Sequence, residues 1–131
     1  MIHITSKTTI PDLKEEFNKL FPFLKLEFFK HKHQIREGNP KKDLLSFNGV
    51  LSLTDKAIKS KKIIIEENMT VADLEQMFLM RFGLSAQVFR KSGRSWLETT
   101  VTDDWTLKHQ NEQGFELSRL QRSTVEKEKN F

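Results

Sequence analysis

Thr9–Lys30, TIPDLKEEFNKLFPFLKLEFFK, and Thr70–Lys91, TVADLEQMFLMRFGLSAQVFRK, decide the fold between them. Set one beneath the other at an offset of 61 without gaps, they share seven of 22 positions: Thr, Asp, Leu, three Phe and the closing Lys. Ile10/Val71 and Phe23/Leu84 match in kind, and upstream Ile2 and Ile4 fall on Ile63 and Ile65. A repeat of this length marks a supersecondary unit used twice.

Each copy has the same physical content. Thr9 and Thr70 are helix N-caps, whose hydroxyls can accept a free backbone N–H of the first turn. Pro11 sits early in the first helix, where a missing N–H costs nothing. Asp12 and Asp73 lie in first turns, where the helix dipole favours negative charge. Leu13, Phe17, Leu20 and Phe21 form the stripe of a buried face, as do Leu74, Phe78, Arg81 and Phe82 with Met77 and Met80 beside them. Pro22 and Gly83 occupy equivalent stop positions. Strands follow at Leu24–Phe29 and Ala86–Arg90, and strands precede at Ile2–Thr5 and Lys62–Glu66. Three consecutive isoleucines in the last suit a strand buried on both faces.

The order β-α-β, link, β-α-β predicts an α+β fold. Duplicated units in a ferredoxin-like split arrangement would place two main helices on one face of a four-stranded antiparallel sheet. A different α+β sheet order is the alternative. After the second unit, Lys91–Ser95 is a turn into an appended strand, Trp96–Thr100. A short helix over Thr106–Gln113 follows, closed by Gly114. One domain therefore spans residues 1–120, with units 2–30 and 63–91, a linker over 31–60 and an appended segment over 95–114. Glu37–Lys42 is a loop, Asp43–Lys59 shows no clean period, and residues 121–131 read as a flexible C-terminal tail.

Composition narrows the function classes. A chain of 131 residues supports one core. Eleven Phe without a Tyr point to rings that fill the core. The absence of cysteine removes disulfides, Cys-ligated zinc, iron–sulfur clusters and thiol nucleophiles. No basic start leads into an apolar run, and no apolar run approaches the ~20 residues of a membrane helix, so the expectation is a cytoplasmic protein with no membrane contact. The net charge of +4 is uneven. Residues 1–62 hold 13 Lys/Arg and 7 Asp/Glu, a net of +6, and residues 63–131 hold 9 and 11, a net of −2. A basic half suits an anionic partner, whereas scattered lysines also make a solubilising surface.

The stretch Gln87–Leu107, QVFRKSGRSWLETTVTDDWTL, resembles a family of small uncharacterised bacterial cytoplasmic proteins, most strongly over residues 69–114. The resemblance implies a bacterial cytoplasmic origin and carries no activity, substrate or site.

No cofactor or metal site is expected. The chain has no P-loop and no G-x-G-x-x-G. His31 and His33 share a strand face, but Lys30 and Lys32 oppose a cation there. Asp103 and Asp104, with Glu98 and His109, offer acid–base groups, while Asp-Asp before Trp-Thr-Leu is also an ordinary helix start. No G-x-S-x-G elbow frames a serine nucleophile. RNA-recognition motifs stack bases on aromatic residues of their central strands, and the strands IHIT and KIIIEE carry none. The binding candidates are Arg90, Lys91, Arg94, Trp96, Asp104 and Trp105. Here cations and indoles interleave in a segment without a counterpart in the first unit, and tryptophan is enriched at binding hot spots. The alternative is that both indoles are core, sealing an open sheet edge.

A non-enzymatic protein-interaction module, as a homodimer or with a protein partner, is the leading expectation from these features. A nucleic-acid-binding domain using the basic N-terminal half is the alternative, and an enzyme of unrecognised type comes third. At least one indole should be partly exposed, in a patch with Arg94 or Asp104.

Overall fold

A computed structural model describes residues 1–5, 7–29 and 63–129. Its elements are β1 (Ile2–Ile4), α1 (Ile10–Leu20), β2 (Leu24–Phe29), β3 (Ile63–Ile65), α2 (Val71–Phe82), β4 (Ser85–Ser92), β5 (Ser95–Glu98) and α3 (Leu107–Lys129). Helices and antiparallel sheets combine in an α+β fold. The linker over 31–60, with Glu37–Lys42, Asp43–Lys59 and the pair His31/His33, lies outside the described residues.

Both helix starts form as the sequence implies. The Thr9 hydroxyl accepts from the Asp12 N–H at 3.2 Å, and the Thr70 hydroxyl from the Asp73 N–H at 3.1 Å. Gly83, at φ 66, ends α2 in the left-handed region that glycine enters without penalty. Leu13, Phe17 and Phe21 are buried, and so are Leu74, Phe78 and Phe82. Leu20 and Met80 are exposed, which corrects the stripe at those two positions. The helical period turns Met80 away from the Leu74, Phe78 and Phe82 face and leaves Leu20 at the margin of the Leu13, Phe17 and Phe21 face.

Among the described residues the strands form two sheets instead of one of four strands. β1 pairs with β3 antiparallel, in the register Ile2↔Ile65, His3↔Ile64, Ile4↔Ile63. A second sheet runs in the order β2-β4-β5, and its first ladder extends from Leu24↔Arg90 to Phe29↔Ser85. The strands that follow the two helices are thus direct neighbours. This pairing joins Leu24, Leu26 and Phe28 to Ala86 and Val88 as one continuous apolar face, which a split order would interrupt. Both ladders are centred on the offset of the sequence match: His3 and Ile64 are 64 − 3 = 61 apart, and the second ladder centres between Leu26↔Val88 and Glu27↔Gln87. β3 is buried on one face only, with Ile64 half-exposed opposite the exposed His3.

The core joins these faces to α1, α2 and the start of α3, with Ile10, Val71 and Leu107 fully enclosed. Phe28 meets Phe78 edge-on at 5.0 Å between ring centres. Helix α3 runs on past Gln113 to Lys129, through the stretch read as a tail from residue 121. Gly114 is therefore inside a helix and does not close one. A Cβ there would stand 2.8 Å from the Phe23 Cβ and 3.1 Å from its carbonyl oxygen. Gly114 lets α3 lie against the start of β2, where Asn111 also accepts the Phe23 N–H at 2.8 Å.

Candidate functional site

Alternation along β4 sorts the candidate residues. Neighbouring strand residues point to opposite faces, so Arg90 and Lys91 cannot serve one surface. Register places Lys25 opposite Phe89, and Lys91 opposite Trp96, which puts all four side chains on the face away from the core. The Lys25 ammonium lies 5.1 Å from the centre of the Trp96 ring and 5.3 Å from that of Phe89. All four are half-buried. The same face is closed at its other end, where Phe29, Ser85 and Gln87 are buried. Arg94 is exposed in the β4–β5 turn, beside Gly93 at φ 62.

Arg90 belongs to a second group on the inner side. Its guanidinium sits 5.6 Å from the Trp105 ring centre and donates to the Gln110 Oε1 at 2.9 Å. Gln110, fully buried, donates in turn to the Thr102 carbonyl and hydroxyl, each at 2.7 Å. Trp105 also meets His109 edge-on at 4.6 Å. Burial lowers the Arg90 pKa, and its Nε has no hydrogen-bond partner. Trp105 is half-buried and Asp104, next to it in the chain, is exposed. The two indoles thus lie on different sides of the sheet, and the single Trp96–Trp105 patch divides in two. Trp96 takes its cation from Lys25 of β2, a contact that local spacing around Trp96 does not contain.

The carboxylates also regroup. Glu75, on α2, is half-buried beside the fully buried Asp103. Burial, then Asp103, then Glu98 raise its pKa to about 8, against a hydrogen bond from the Val88 backbone that lowers it. A carboxyl protonated at neutral pH can donate a hydrogen bond or a proton. His109 meets the Trp105 ring, while Asp103 and Glu98 come together beside Glu75. No group of three metal-ligating side chains occurs among the described residues. Glu75 was legible only through the repeat: it occupies the position of Lys14, beside the buried stripe.

Asp103 and Asp104 do not cap α3. Thr106 does, accepting the His109 N–H at 3.1 Å. The segment before α3 instead caps α2, since the Val71 and Ala72 N–H groups donate to the Trp105 and Asp103 carbonyls at 3.1 and 2.8 Å. The Leu107 and Lys108 N–H groups donate in return to the Met69 and Glu67 carbonyls at 2.8 and 3.0 Å. The free donors of each helix start are met by the approach to the other. Neither helix start offers bare N–H groups to an anion.

The outer face of β2-β4-β5 has what the strands IHIT and KIIIEE lack, because aromatic rings alternate there with cations on an accessible sheet. Its chemistry is recognition by ring contact and charge. Among the described residues, no helix is long and apolar enough to cross a membrane. Comparison with family models, with curated proteins and with solved structures finds no match for this chain.

Proposed function

We propose that this protein is a non-enzymatic binding module that works through the outer face of the three-stranded sheet, at Lys25, Phe89, Lys91 and Trp96. The observation that carries this is the lysine held over two half-buried aromatic rings on one side of β2-β4-β5. Large rings that keep accessible surface beside cations are the residue types from which binding hot spots are made. The resemblance of Gln87–Leu107 supports a bacterial cytoplasmic setting. The common offset of both ladders supports descent of the two halves from one duplicated unit.

Capture from host extract tests the module. Wild-type protein should retain a defined set of macromolecules, and Trp96→Ala should lose them while keeping the wild-type melting temperature. Trp105→Phe, on the other side of the sheet, should retain them. Equal capture by wild type and Trp96→Ala would remove this face from the function. Nuclease treatment before capture sorts the partner by class.

A further inference from the structure

The outer sheet face also indicates what it binds, if it is the working surface proposed above. In the register of β4 and β5, Phe89 faces Glu98 and Trp96 faces Lys91, so Phe89 and Trp96 are diagonal neighbours. Diagonal pairs on a sheet stand roughly 7–8 Å apart, within reach of one another's large side chains. Lys25 bridges the two rings, Lys91 lies alongside Trp96, and Arg94 is exposed in the turn of the hairpin. Two of the face's charges are acidic. Glu27 is held by Lys14 at 2.7 Å, which leaves Glu98 as the acid set against three cations.

Flat rings at a spacing of this size, with cations between and beyond them, complement a chain of flat rings joined by phosphates. An unstacked strand can lay successive bases on Phe89 and Trp96 once the Lys25 ammonium leaves their faces for a phosphate, with Lys91 and Arg94 meeting the backbone alongside. A duplex presents no free base faces and would use the cations alone. An acidic protein surface would leave the paired ring faces without matching planar groups. We infer that the outer face of β2-β4-β5 binds single-stranded nucleic acid, by base stacking on Phe89 and Trp96 and phosphate contacts to Lys25, Lys91 and Arg94. Stacking and phosphate pairing read neither ribose nor sequence, so thymidylate and uridylate strands are equivalent ligands for this surface. The contact differs from an RNA-recognition motif in location. It uses the sheet formed by the strands after the helices, and β1 and β3 take no part.

Fluorescence anisotropy with labelled oligothymidylate and oligouridylate of about 15 nucleotides, near the upper size of a single-strand site, tests this directly. Both should bind at low salt and more tightly than a duplex of equal length. In the Trp105→Phe protein the remaining Trp96 emission should be quenched on binding. Phe89→Ala or Trp96→Ala should weaken binding roughly tenfold or more. Lys25→Gln and Lys91→Gln should each reduce the slope of log affinity against log salt by about 0.7. These two lysine variants change no ring and guard against a fold defect in the aromatic ones.

Absence of saturable binding at low salt would overturn the inference. So would equal affinity for duplex with unchanged Trp96 emission, or full binding by folded Trp96→Ala. If the oligonucleotides fail while extract capture remains Trp96-dependent and nuclease-resistant, the face serves a protein partner. The nucleic-acid inference then falls and the module stands.

Discussion

Lys14 and Glu75 occupy the same position in the two β-α-β segments, and each faces the strand position 13 residues later. In the first segment that position holds Glu27, and the pair closes at 2.7 Å. In the second it holds Val88, whose backbone bonds to Glu75, and the other neighbours of Glu75 are Asp103 and Glu98 from the added segment. One frame has thus received opposite electrostatics. The first segment closes its helix–strand seam with an ordinary ion pair. The second keeps a carboxyl that burial and like charge hold protonated near neutral pH. Helix and cap are alike in both, but the strand positions are not: Glu27 lies on the outer face of the sheet and Val88 on the inner one, and the added segment brings Asp103 and Glu98 to Glu75.

The largest expected effects test whether the two segments are equivalent at all. Phe17 and Phe78 are both fully buried at matching positions. Phe17→Ala and Phe78→Ala should each lower stability by about 3–5 kcal/mol in urea denaturation. Costs that differ more than twofold would show that the match in sequence is not a match in packing.

Glu75→Gln should act in the other direction. Between the unfolded value near 4.5 and the folded value of about 8, the folded protein holds a proton that the unfolded chain releases. Stability therefore falls as pH rises through that window, and levels off above it. Removing the titration should stabilise the protein by roughly 1–3 kcal/mol at pH 8 and change little at pH 4. Melting curves of wild type and variant that run parallel across this range would show that Glu75 titrates normally.

The smallest effect belongs to the first segment. Lys14→Gln breaks a partly exposed pair, with side chains 35% and 15% accessible, and should cost about 1 kcal/mol or less. Its pH profile between 5 and 8 should follow the wild type. A cost above about 2 kcal/mol would make Lys14–Glu27 a buried ion pair and remove the contrast with Glu75.

What the sequence made legible is what local chemistry decides. Thr9 and Thr70 cap their helices because the accepting hydroxyl and the donating N–H lie three residues apart. The phenylalanine stripe follows from helical period alone. Strand partners are not local, and nothing in IHIT or KLEFF states which strand lies beside it. The split of Arg90 from Lys91 followed from alternation once β4 was recognised through Ser92, but their companions Trp105 and Lys25 come from distant segments. Gly114 misled because a glycine after a helix commonly ends it. The run after it, FELSRLQRSTVEKEK, contains neither glycine nor proline, and that was the available sign that the helix continues. The raised carboxyl at Glu75 had no local sign, since two of its causes arrive from Glu98 and Asp103.

The crossed caps of α2 and α3 tie the timing of two events together. The Val71 amide bonds to a carbonyl 34 positions later, at Trp105, and the Leu107 amide reaches back to Met69. A chain made from its N-terminus completes the α2 stretch while its first donors still face water. Those donors find their acceptors only when the approach to α3 has emerged. In the finished molecule neither helix start can open by itself without stranding carbonyls of the other. The amides of Val71, Ala72, Leu107 and Lys108 should therefore exchange with solvent deuterium as one cooperative group, although they belong to two helices.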